Sequence, residues 1–302
     1  MRRIHFCGGD KGGVGKTFFC KVLIDYYENL KIPLLVYDLD KNNRDIFDSG
    51  LDEKPVRRRR SLHIKASFFS DNPEYMDTAD QVIYDLLEKD RDIVVNLPAG
   101  SYSQMQRWWD RNNFSELLAE RHIEACHWVL LSGENLAHAE RVISTWSMDV
   151  VLVRNLYLRT DWRVLNDLIQ RKLESLFQQR PTHLPKRDIK FIDLESLSKS
   201  VADFLVNKKL LIQDSYLSPD LKILDRQKLI TFCKKMHQVL ASTGKLPLPD
   251  SNSFSLPSSS SGNSDSLDDL SKLLSESDDS ADSVQQNSFN LDFDSDSYGH
   301  MD

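Results

Sequence analysis

The 302-residue sequence has little cysteine and gives what it has no partner: Cys7, Cys20, Cys126 and Cys233 fall into no paired spacing. That excludes a disulfide framework, the Cys-x-x-Cys patterns of zinc sites and a thiolate-held iron–sulfur cluster, leaving four reduced thiols in segments that read as strands or helices. Long apolar runs are missing too. Nothing approaches the roughly 18 apolar residues of a membrane span, and the stretch after Arg2 and Arg3 is too short for a signal peptide. These absences predict a cytoplasmic protein with no membrane segment. No internal repeat is present either, which sets repeat architectures aside.

Positive charge is scarce at one end. Twelve of the 46 acidic residues lie from Asp250 onward, against one of the 39 lysines and arginines, Lys272, so the overall −7 hides a body of +4 over the first 249 residues. From about Lys245 the chain turns to proline and serine, with Pro247, Pro249 and the run Ser258-Ser259-Ser260-Ser261. A segment so poor in apolar side chains cannot bury enough surface to offset the entropy of ordering it. The sequence therefore divides into a body, 1–244, and a Ser/Asp-rich disordered tail, 245–302. In the tail, Leu267, Leu270, Leu273 and Leu274 have helical spacing and Phe289-Asn290-Leu291-Asp292-Phe293 alternates, so either suits an unidentified protein partner.

What the body does have is the run Lys11-Gly12-Gly13-Val14-Gly15-Lys16-Thr17. It follows a short apolar strand, Ile4 to Gly8, and precedes a helical pattern with Phe18, Val22 and Leu23 on one face. Strand, glycine loop and helix make a phosphate cradle: backbone N–H groups converge on the anion and the helix aims its positive end at it. Lys16 reaches the β- and γ-phosphates and the Thr17 hydroxyl suits magnesium. Further strands are expected at 34–40, 93–97 (stopped by Pro98 and Gly100), 128–131, 150–154 and 189–194. Helices are expected at 77–89 and 225–240, and Trp108 and Trp109 read as helix packing. The alternation predicts an α/β fold, a mostly parallel, doubly wound sheet of P-loop NTPase type, with ligands beyond the carboxyl ends of the strands.

The loop has Asp10 where the usual pattern has glycine, and a second lysine, Lys11, directly after it. In this it resembles the deviant P-loop of the ParA/MinD ATPases. The resemblance implies ATP and Mg2+ as ligands, phosphate contacts from Gly12, Gly13, Val14, Gly15, Lys16 and Thr17, and a homodimer formed with ATP, in which Lys11 reaches the partner's nucleotide. It assigns Asp40 to positioning the attacking water and Asp38, with Thr17, to the magnesium shell. Asn96 departs from the pattern. The segment Asn96-Leu97-Pro98-Ala99-Gly100 resembles the family's second switch, which opens with Asp, and an amide keeps one acceptor but loses the charge that attracts the cation. The resemblance therefore implies a slow ATPase or a nucleotide-binding switch, with Asn96→Asp expected to tighten magnesium binding or raise turnover. Asn155, after the strand at 150–154, is placed where the family often contacts adenine; an ordinary strand-end turn residue is the other reading.

Family members position DNA, plasmids or protein complexes, and this chain is similar to members associated with plasmid partition and mobilization. Starting at its first strand, it is expected to lack the extra DNA-binding domain of the larger partition ATPases. Arg57-Arg58-Arg59-Arg60, in a region that reads as loop, suits non-specific contact with DNA phosphates or pairs with Asp52 and Glu53. The basic amphipathic helix at 225–240 is followed by acid, so domain packing is expected of it rather than membrane attachment. Two rivals stand beside this reading: an ATP-dependent ligase resembling dethiobiotin synthetase, and a nucleotide-gated adaptor that does not hydrolyse.

Overall fold

The computed structural model describes residues 1–9, 11–50, 61–132, 137–158 and 189–248, with Trp162, Arg163, Asp167, Arg171 and Ser175 in between. Asp10, the Arg57 to Arg60 run and the tail beyond Leu248 lie outside the described residues. In chain order the elements are β1 (Arg3–Gly9), α1 (Lys16–Asn29), β2 (Leu34–Asp38), α2 (Asp45–Gly50), β3 (Leu62–Ala66), α3 (Asp80–Glu88), β4 (Asp92–Asn96) and α4 (Tyr102–Arg111). They continue as α5 (Phe114–Glu120), β5 (Glu124–Leu131), α6 (Ala137–Thr145), β6 (Asp149–Asn155), β7 (Ile189–Leu194), α7 (Lys199–Lys208), α8 (Ile212–Leu217) and α9 (Ile223–Ser242).

The strands form one sheet in the order β3-β2-β4-β1-β5-β6-β7, and every neighbouring pair is parallel. Parallel strands buried on both faces read as continuous apolar runs, and the side chains sort by the strand's period of two. Ile4, Phe6, Leu35, Ile93, Val95, Val129 and Leu152 enter a core shared with α3, α4, α5 and α6. Their alternates Cys7, Val36, Val94, Trp128, Leu130 and Val151 enter a second core with α1, α7, α8 and α9. Each buried aliphatic side chain contributes about 1.5–3 kcal/mol relative to leaving it in water. The sheet is thus doubly wound. All four cysteines are buried and outside any disulfide, and Trp108 and Trp109 pack into the first core.

Polar groups fasten the helices at chosen points. Asp25 of α1 accepts from Gln213 Nε2 of α8 at 2.7 Å and lies 2.8 Å from His237 Nε2 of α9. Between the sheet and α1, Trp128 Nε1 donates to His5 Nδ1, His5 Nε2 meets the Tyr27 hydroxyl at 2.9 Å, and that hydroxyl donates to Asp92 at 2.8 Å.

Three sequence expectations shift. The strand expected at 34–40 ends at Asp38, and the helix expected from 77 starts at Asp80, behind a run of turns. The region read as loop between Asp40 and Asp77 holds α2 and the edge strand β3. Body packing also runs past Gly244. Leu246 is buried, Lys245 Nζ pairs with Asp149 at 2.7 Å, and the Tyr26 hydroxyl donates to the Pro247 carbonyl at 2.6 Å.

Candidate functional site

β1 lies at the centre of the sheet, where the chain first turns to one side for β2 and β3 and later to the other for β5, β6 and β7. That reversal opens a crevice at the carboxyl ends of the strands, the usual ligand position in such sheets. Register brings distant residues to it in one row. Asn96 pairs with Cys7 of β1 on one side and with Asp38 of β2 on the other.

The glycine loop leaves β1 and enters α1 at Gly15, whose φ of 98° is left-handed and open to glycine at little cost. A side chain there would also collide with Asn155, since an added Cβ would lie 2.6 Å from Nδ2. Gly12 and Gly13 sit exposed at the crest, with nothing within 4 Å of where a Cβ would be. Lys16 is buried behind them and its Nζ donates to the Lys11 carbonyl at 2.9 Å, while Lys11 itself is exposed. Thr17 occupies the first turn of α1, half-buried. The loop is therefore shaped for an anion in advance. Amides at the start of a 14-residue helix, with no side-chain cap among the described residues, and the Lys16 ammonium nearby are its means.

Asp38 is 1% exposed and Asn96 0%. The Asp38 carboxylate accepts from Asn96 Nδ2 at 2.9 Å, from the amides of Ile46 and Phe47 at 3.1 Å each, and from the Asp40 amide at 3.3 Å. Burial pushes its carboxyl up from the ordinary value, and these four hydrogen bonds oppose the rise. The side chain joins the end of β2 to the first turn of α2, a contact for which the sequence carries no signal. Asp40 is half-buried, and its Oδ1 accepts from the amides of Asn42 and Asn43 at 3.2 Å each.

The Oδ1 of Asn96 is buried without a hydrogen-bond partner among the described residues. An orphaned acceptor at the edge of a phosphate site fits a metal-bound water. No group of three or more His, Cys, Asp or Glu among the described residues could hold a metal ion. Magnesium that takes most of its ligands from phosphate and water needs no such cage. Thr17 and Asn96 therefore fit the ion, whereas Asp38 is already spent on the four donors around it.

Asn155, at the end of β6, donates from Nδ2 to the Val14 carbonyl at 3.0 Å, and its Oδ1 accepts from the Tyr157 amide at 3.0 Å. Its carboxamide braces the phosphate loop from below. One buried group at the site was not foreseen: His127 of β5, whose Nε2 would lie 2.3 Å from a Cβ added to Gly8. Burial holds this imidazole at a pKa of about 3, so it is neutral.

No protein-family model matches the chain, and no curated protein matches it. Among solved structures it is similar to a nucleotide-binding protein in complex with ADP from Archaeoglobus fulgidus, at 16% identity over 75% of this chain and 87% of that one, TM-score 0.40. It is similar to the MinD cell division protein of Aquifex aeolicus, at 20% identity over 83% of this chain and 100% of that one, TM-score 0.40. A third likeness is to the septum site-determining protein MinD complexed with Mg-ADP from Pyrococcus horikoshii OT3, at 14% identity over 81% of this chain and 99% of that one, TM-score 0.42. No helix among the described residues is long and apolar enough to cross a membrane. The strand order makes the chain a doubly wound, parallel α/β protein, and its Lys11 to Thr17 loop, between β1 and α1, resembles the deviant P-loop pattern of the ParA/MinD proteins.

Proposed function

We propose that the chain is an ATP-binding, slowly hydrolysing switch protein of the ParA/MinD kind that dimerises around its nucleotide in the cytoplasm. One observation carries the reading: Lys16 is buried and parked on the Lys11 carbonyl while the Lys11 side chain is exposed on an open crest. A single nucleotide is served by Lys16, so Lys11 is placed to serve another. On this reading the exposed amides of the crest and the start of α1 take the phosphates, and Lys16 moves its ammonium from the carbonyl to the anion. Asn155 keeps the loop from yielding as it does so, and Asp40 orients the attacking water. Magnesium, when bound, neutralises phosphate charge. The Asn96 amide, which brings no charge of its own, favours slow turnover. Plasmid or DNA partition, mobilization or intracellular positioning is the class of task such a switch performs. The Arg57 to Arg60 run is proposed for non-specific DNA contact and the acidic tail for a protein partner.

Light scattering tests the dimer. With saturating ATP and magnesium, the hydrolysis-blocked Asp40→Ala protein is expected at twice the monomer mass, and the same protein carrying Lys11→Ala at the monomer mass. A monomeric Asp40→Ala protein, or equal dimerisation without Lys11, would refute the cross-interface role.

A further inference from the structure

The connection between β3 and α3 is strapped to α4 at two points across a cavity. Arg107 Nη2 donates to both carboxylate oxygens of Asp71, at 2.9 and 3.0 Å. One turn on, Arg111 Nη2 donates to the Met76 carbonyl at 3.2 Å and to Asp77 at 3.3 Å. Between strap and helix lies a cavity of about 470 Å³, walled by Phe69, Met76 and Trp108 and edged by Gln104, Arg107 and Arg111. This volume falls among those that hold small molecules. Its aromatic floor is fixed: Trp108 Nε1 donates to Asp80 at 2.7 Å, and the indole packs on Phe69 at 5.4 Å and Phe114 at 4.8 Å between ring centroids. Its clasp is not. The Arg107 and Asp71 side chains are 61% and 64% exposed, and an ion pair so open to water is weak and readily exchanged.

A guanidinium that already shares one nitrogen, Nη2, between both oxygens of a carboxylate, above an aromatic wall, defines what could replace that carboxylate. We propose that this cleft binds a small organic monoacid, its carboxylate on Arg107 in place of Asp71 and its apolar body against Phe69, Met76 and Trp108. Asp110 also lines the cavity, and its charge disfavours a dianion. The strap residue Phe69 and the helix residue Gln104 also line a second cavity of about 210 Å³, formed with Asp40 and the loop from Pro98 to Ser101. An occupant therefore touches the helix that follows the switch-like loop. The site stands on ion pairs and shape, independently of the proposed nucleotide chemistry.

The test uses the full chain without nucleotide, with 4-phenylbutyrate as the probe, its amide as the neutral control and phenylsuccinate as the diacid, each titrated by calorimetry. The expectation is millimolar or tighter binding of the monoacid and none of the amide. Arg107→Gln should weaken the monoacid about tenfold or more, the loss of a charge-assisted pair. Asp71→Asn should strengthen it up to about fivefold by removing the internal competitor. Both residues are exposed, so an unchanged melting temperature shows that neither replacement acts through the fold. Equal binding of acid and amide, no binding in the millimolar range, or a weaker acid in Asp71→Asn would each overturn the proposal.

Discussion

Asn96 and Asp38 show how one atom decides a substitution. From sequence, an aspartate at 96 restores a charge that magnesium would welcome. In the structure the Asn96 amide donates to a buried carboxylate at 2.9 Å, and a second carboxylate at that distance must share a proton or move away. Asn96→Asp is therefore expected to destabilise the metal-free protein by about 1–3 kcal/mol, the cost of a buried acceptor losing its donor, and to regain part of this with ATP and magnesium. Thermal denaturation with and without magnesium measures it; an unchanged melting temperature without metal would show that the amide contributes nothing. Lys16, Thr17 and Asn155 stand out in sequence as candidates because each belongs to a motif or a strand end. Their partners were not, since the Val14 carbonyl held by Asn155 is 141 residues away along the chain.

Strands with alternation on two apolar faces, such as β4 and β6, declare themselves in sequence. The edge strand β3 does not: in Leu62-His63-Ile64-Lys65-Ala66 only Leu62 is buried, so the hydrophobic signal that marks an interior strand is absent. Lateral contacts between strands are equally hidden. Gly8 of β1 gives way to His127 of β5, so Gly8→Ala forces a methyl into an imidazole. That overpacking should cost about 1–3 kcal/mol. Combining it with His127→Ala should give less destabilisation than the two changes summed, as read by urea denaturation of all four proteins. Strict additivity would mean that the two side chains do not compete for one space.

At the scale of the whole molecule, the two fully buried imidazoles lead the response to acid, and the mostly exposed His63, lowered by burial and by Arg91, acts in the same sense. Burial is the main cause that holds His5 and His127 at about 3, against an ordinary value of 6.5. The unfolded chain takes up these protons below about pH 6.5 and the folded chain does not, so stability is full above that value and falls with acid. Each histidine contributes about 1.4 kcal/mol per pH unit once well below pH 6.5. Asp38 and Asp92, raised by burial, act in the opposite sense nearer the carboxylate range, which leaves about pH 5 to 6.5 as the window to examine. Denaturation midpoints across it should fall with acid, and His127→Leu should remove about half the slope; an unaltered slope would place the protons elsewhere. The central seat of β1 matters in time as well as in space. Its neighbours are β4, at Asp92–Asn96, and β5, at Glu124–Leu131, so β1 waits for more than a hundred further residues before both its edges are paired. Such non-local pairing slows folding. The glycine loop that leaves β1 is therefore held in its final shape only after strands far along the chain have arrived.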